Sequence, residues 1–173
     1  GLPSSAQFYG VDENGKLYSD HLFQGGGQGA SAAGDGKSAL LYPTSAANTS
    51  IEMFEARVPA LVLRKELVID SGGAGRFRGG LGQVVSARKL KEDRNSCQIG
   101  IFPNGIHSEV QGLFGGKSGG QSRGIIHRTD GEQHDVGTGE LTAIQEMAEV
   151  AELYIAGGSG YGDPLTRDYE YVR

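Results

Sequence analysis

Tryptophan is absent from this chain of 173 residues, aromatics make up 8% of it, and one cysteine, Cys97, is its whole complement of thiols. Without a second cysteine no internal disulfide can form, which fits a reducing cytoplasm. Cys97 alternates with Ile99 and Ile101 on a strand-like run, so it reads as a buried core thiol, with a nucleophilic role as the alternative. No apolar run approaches the ~18 residues of a membrane-crossing helix, and no charged-then-apolar leader opens the chain. The net charge is −5 and the basic residues are scattered, which argues against nucleic acid as a partner. The first residue is Gly1 rather than Met, as in a processed product or a piece of a larger polypeptide. The length suits one domain, 1–173, with a modest aliphatic core.

Glycine is what the chain has in excess: 30 of 173 residues, against a usual share of ~7%. There is no Gly-X-Y period and the glycines lie between apolar segments, so neither collagen nor a disordered linker fits. Six of them fall in Asp70-Ser71-Gly72-Gly73-Ala74-Gly75-Arg76-Phe77-Arg78-Gly79-Gly80-Leu81-Gly82, between two strand-like stretches. Each ordered glycine carries a large entropic cost. Such density implies either repeated positive φ or the close approach of another backbone, subunit or ligand.

Around this motif the pattern predicts a mainly β (α+β) fold of antiparallel strands, one or two short helices and long glycine-rich loops. Residues 7–18 read as a hairpin turning at Asn14-Gly15. A glycine loop covers 23–38. Thr49-Ser50-Ile51-Glu52 matches a capping box with Thr49 as N-cap, giving a helix over 50–57 that Pro59 ends. Alternation then predicts strands over 61–69, 82–90, 97–102 and 123–127, with a second glycine loop over 112–124. Apolar residues at Leu141, Ile144, Met147 or Ala148, and Ala151 suggest a helix over 141–150. Residues 152–156 look extended, and a glycine turn over 157–164 follows.

Several familiar motifs fail on inspection. Gly115-Gly116-Lys117-Ser118 lacks the glycine a phosphate loop needs at position 111, which is Gln111, and no helix follows. A dinucleotide fingerprint on Gly73 and Gly75 would need a small residue where Arg78 stands. What remains is an anion-binding nest of glycine N–H groups beside Arg76 and Arg78, or a tight strand crossing with the arginines paired to Asp70 or a neighbouring subunit. His127, Asp130, His134 and Asp135 could hold a divalent ion, or could be a solvated turn at Asp130-Gly131. His21 and His107 are isolated. No Gly-x-Ser-x-Gly elbow surrounds Ser71. Asn48-Thr49-Ser50 is a glycosylation sequon by pattern and a helix cap by context.

Taken together, Gly34-Asp35-Gly36, Asn48-Thr49-Ser50-Ile51-Glu52-Met53-Phe54-Glu55, Pro59, the thirteen residues 70–82, Gly112-Leu113-Phe114-Gly115-Gly116 and the closing 157–164 turn resemble the carboxy-terminal part of the hydantoinase B/oxoprolinase family. The likeness spans nearly the whole chain. It departs in one place, where family members carry a proline after the Asn-Thr pair and this chain has Ser50. Family chains are also several times longer, so the resemblance implies a portion of a B-type subunit or a split subunit.

The resemblance implies an ATP-dependent cyclic-amide hydrolase, opening hydantoin, 5-oxoproline or a lactam together with an ATPase-type A subunit of actin-like fold. Alternatives are a subunit of a ketone carboxylase of the acetone or acetophenone type, and a purely structural assembly subunit. ATP and a divalent metal belong to the complex, and no cofactor or metal is expected on this chain, since the family's metal-binding His and Asp residues lie in the missing amino-terminal part. The isolated chain is expected to be inactive. Asp70, Ser71, Gly72, Gly73, Gly75, Arg76 and Arg78, with Asp35, Asn48 and Glu52, are the candidate substrate or interface residues.

Overall fold

Alternation of β-branched and polar residues builds the scaffold. The computed structural model describes residues 4–42, 46–91, 97–102, 106 and 109–171, and His107 lies outside them. Among these residues the first sheet is formed by β1 (Ser4–Val11), β2 (Leu17–Gln24), β5 (Cys97–Phe102) and β8 (Leu141–Ile144), in the order β2-β1-β5-β8. The second is formed by β3 (Ala60–Leu67), β4 (Gln83–Lys89), β6 (Arg123–His127), β7 (Gln133–Asp135) and β9 (Val150–Tyr154), in the order β3-β4-β9-β6-β7. Every pairing between these strands is antiparallel, and the fold is mainly β.

The two sheets share one core. Phe8, Ile99, Ile101 and Ile144 of the first pack with Val85, Ile126, Ala151 and Leu153 of the second. A Cβ on Gly124 in β6 would stand 2.9 Å from the Cδ1 of Ile101 in β5, so the sheets meet there. Cys97 is buried in this core at 2% exposure. The helix α1 (Ile51–Glu55) closes one side, with Phe54 edge-on to Phe8 at 5.0 Å between ring centres. Among the described residues no helix is long and apolar enough to cross a membrane.

Local details differ from the sequence reading. The hairpin is longer than 7–18, pairing Ser4 through Gln24, with the turn stabilised by an Asp12 N–H donated to Lys16 O at 2.8 Å. The N-cap is Ser50, not Thr49: the Ser50 hydroxyl accepts the Met53 N–H at 3.3 Å, and the helix runs 51–55 rather than 50–57. Thr49 instead ties the helix to β2, accepting the Phe23 N–H at 2.9 Å.

The helix expected over 141–150 is absent. Leu141–Ile144 forms β8 against β5, residues 145–149 turn, and Val150 begins β9. The apolar spacing there serves either period over so short a run. The Glu149 carboxylate accepts the Gln145 N–H at 2.6 Å, a side-chain bond that competes with helical pairing. Strand β3 also departs from its alternation. A bulge between Val62 and Arg64 shifts its register, and Leu63 and Leu67 stand half exposed on this edge strand.

Candidate functional site: a glycine bundle closed by an arginine clasp

Five segments outside the sheets (25–30, 34–40, 70–82, 112–120 and 156–162) come together where β2, β3 and β9 end and β4 and β6 begin. Segment 156–162 runs through their middle. A Cβ on Gly157 would overlap the Ser71 carbonyl, one on Gly158 the Gln28 carbonyl, and one on Gly160 the Ala74 carbonyl. Successive residues of one chain therefore face three different neighbours. Gly79 and Gly80 meet Gly158 and Lys37 in the same way. None of the six glycines in 70–82 has a positive φ, so close approach of backbone, not unusual dihedral angles, accounts for them.

The neighbours that approach are the chain's own segments. Gly158 N–H donates to Gly80 O (2.9 Å), Gly80 N–H to Gln28 O (2.8 Å), Gly73 N–H to Gly158 O (2.8 Å), and Gly160 N–H to Lys117 O (2.8 Å). Buried backbone donors must find acceptors, and here each segment supplies them to the next. Side chains staple the edges. Ser71 Oγ accepts the Gly82 N–H at 2.8 Å and donates to Val68 O at 2.7 Å, joining the two ends of 70–82. Asn48 Oδ1 accepts from Gly25 N–H at 2.7 Å and from Gln83 Nε2 at 3.0 Å.

At the other end lies a clasp. Asp35 Oδ1 accepts the Arg78 backbone N–H at 2.7 Å, and both its oxygens take the guanidinium of Arg167, at 2.8 and 2.7 Å. Arg167 also donates to the Arg76 carbonyl at 3.0 Å. The guanidinium of Arg167 is the main cause holding the Asp35 carboxyl below its ordinary range, with the Arg78 N–H adding to it and burial opposing. Beside the clasp is an open cleft of about 680 Å³, lined in part by Arg76, Phe77, Arg167 and Tyr171.

The structure thus brings Asp35, Arg76 and Arg78 together at one end of the bundle, and Asn48 and Ser71 onto its edges. Gly72, Gly73 and Gly75 lie inside it. Asp70 stands exposed at φ 59°, leading the chain in from β3. Glu52 is apart, its carboxylate accepting the Ser50 hydroxyl at 2.7 Å. Sequence reasoning missed Arg167, which is 132 positions from Asp35 and carries no local signal. It also missed Gln83, although a glutamine opening an apolar strand marks a polar group with a buried partner to find.

The residues considered for a metal ion and for a phosphate are taken up by other partners. His127 bonds Glu152 at 3.0 Å, His134 bonds Glu140 at 2.7 Å, and Asp135 pairs with Arg123 at 2.7 Å. Among the described residues no three potential ligands converge. In 115–118 no helix follows, and the Gly116 and Lys117 amides are spent on Leu113 O and Ala74 O.

Comparison with known proteins places this arrangement among relatives. The family profile described as hydantoinase B/oxoprolinase matches residues 1–164. A caprolactamase subunit beta from Pseudomonas jessenii is 36% identical over 121 residues, covering 68% of this chain and 20% of that protein. A 5-oxoprolinase of Arabidopsis thaliana is 32% identical over 142 residues, covering 82% of this chain and 11% of that one. The crystal structure of ATP-dependent caprolactamase from P. jessenii superposes with a TM-score of 0.78 at 28% identity, over 97% of this chain and 30% of that chain. A nucleotide-free acetone carboxylase matches with a TM-score of 0.80 over 98% of this chain and 27% of that one; at 22% identity this is a likeness of fold. The chain spans about a fifth of the caprolactamase subunit's length and about a tenth of the oxoprolinase's.

Proposed function

The chain belongs to the hydantoinase B/oxoprolinase family, and from that membership we propose that it is a portion of a B-type subunit in an ATP-dependent cyclic-amide hydrolase. The observation that carries this is the family match across residues 1–164, joined to the 36% identity with a caprolactamase subunit. ATP and a divalent ion are held by other polypeptides of the complex, an ATPase-type A subunit and the remainder of the B-type subunit, in the cytoplasm. This chain's own contribution is a wall. Five segments bonded side by side, with no room for a Cβ at Gly73, Gly79, Gly80, Gly157, Gly158 or Gly160 where they cross, make a stiff surface that excludes water, and excluding water protects reactive intermediates from hydrolysis.

Reconstitution tests the proposal. The chain alone is expected to show no turnover of caprolactam, 5-oxoproline or hydantoin. Combined with the remaining B-type polypeptide and the A subunit, it is expected to support ring opening coupled to ADP release. Turnover by the chain alone, or full activity of a complex lacking it, overturns the proposal. Carboxylation of acetone from bicarbonate in place of ring opening assigns the complex to the carboxylase branch instead.

A further inference from the structure

We infer that the end of the glycine bundle bearing Leu113, Phe114, Leu165, Tyr171 and Arg76 is the face on which the remainder of a B-type subunit docks, through an apolar patch of its own. The inference rests on the B-type reading above and adds to it the location of the contact. Three observations lead to it. First, apolar groups crowd here in the open: Leu113 is 60% exposed, Phe114 77%, Leu165 92% and Tyr171 69%. They surround one end of the bundle. The Phe114 ring is tilted against Tyr161 at 5.2 Å, the Tyr161 backbone pairs with Leu113 and Phe77, and Arg167, which clasps Asp35, lies over the Tyr171 ring at 5.7 Å. Exposed apolar surface with aromatics and arginine is the composition of interface cores.

Second, Phe114 holds φ at 51°. A bulky residue is disfavoured there, and its side chain is presented to solvent rather than folded into the core. Third, the patch carries an anchored cation: Arg76 lies 5.6 Å over the Phe77 ring, while Arg167 is engaged by Asp35, and Asp163, Asp168 and Glu170 border the same residues, giving the mixed polar rim that interfaces have. The occupant follows from length: the same fold, matched over 97% of this chain, is only 30% of the caprolactamase chain that contains it. The rest of such a chain must cover some face of this unit, and this is the face built to be covered.

Thiol labelling reads the contact directly, because the native Cys97 is buried at 2% exposure. Single Phe114→Cys and Leu165→Cys variants of the 173-residue chain should react quickly with a maleimide when alone. They should react at least tenfold more slowly in complex with the remaining B-type polypeptide. Leu17→Cys, 79% exposed at the opposite end of β2, should label equally in both states. Arg76→Glu should weaken the association at least tenfold. Equal labelling of Phe114→Cys alone and in complex overturns the inference. So does protection of both new thiols in the isolated chain that grows with its concentration, since a second copy would then cover the face. Failure to form any complex overturns the B-type reading itself, an outcome distinct from a complex that leaves this face open.

Discussion

A Cβ decides more than a charge does in this protein. Gly158 lies in the middle of the bundle, and an alanine there would press into the Gln28 backbone. Gly158→Ala is expected to cost about 3 kcal/mol of stability by urea unfolding, at the upper end of overpacking penalties. Gly120→Ala makes the contrast. Its Cβ would meet Ser71 at 3.5 Å, an ordinary contact, and its φ is not in the left-handed region. That change should stabilise by about 0.5 kcal/mol through the unfolded chain. Asp35 supplies a pH test. Its carboxyl pKa falls on folding, chiefly through Arg167. The clasp therefore stabilises at neutral pH and fades as pH drops below the unfolded value of about 4. Asp35→Asn should lower the denaturation midpoint at pH 7, with its deficit relative to the parent closing as pH falls below the unfolded carboxyl's range.

Elements here are short, and each depends on a contact beyond its own residues. The helix α1 has five residues, too few to persist without its cap and its packing. Ser50→Ala should cost about 1 kcal/mol, read by thermal unfolding. Thr49→Ala probes a different bond, the one to the Phe23 N–H of β2. The 145–149 turn is held by Glu149, whose buried carboxylate takes Arg128 at 3.1 Å and the Gln145 N–H at 2.6 Å. Glu149→Ala leaves the Arg128 guanidinium bonded to Ala143 O and Thr142 Oγ1 but without its carboxylate, and is expected to cost about 3 kcal/mol, with β8 the first strand to lose amide-exchange protection. The strand over 97–102 was legible because Cys97, Ile99 and Ile101 alternate toward the core, and that over 123–127 because the β-branched pair Ile125-Ile126 follows a glycine loop and is buried on both faces. The region over 141–150 was not, since an apolar residue every third or fourth position suits a helix and also two strands broken by a turn.

For the whole molecule, the shared core makes the two sheets one cooperative unit. Ile126 is fully buried between them, and Ile126→Ala should cost about 3 kcal/mol. Tyrosine fluorescence, which tryptophan does not mask in this chain, and far-ultraviolet circular dichroism should then report the same single transition, shifted together. Separate transitions would show that the bundle or a sheet unfolds by itself. The bundle joins both sheets through the ends of β2 from the first and of β3, β4, β6 and β9 from the second, so damage at Gly158 should spread to both.

Residue order alone determined that the chain is mainly β, where its glycine segments lie, that Cys97 belongs in the core, and which family the thirteen residues 70–82 resemble. Those are properties of local period and composition, read within a few positions of one another. Tertiary structure alone decided what the glycines are for. Their neighbours at Gln28, Lys117 and Gly158 lie up to 130 positions away, and no local pattern records which distant backbone will come near. It also decided the partner of Asp35, the cap at Ser50 and the strand at 141–144. In each case a long-range hydrogen bond or sheet pairing outweighed a local preference worth only a fraction of a kcal/mol per residue.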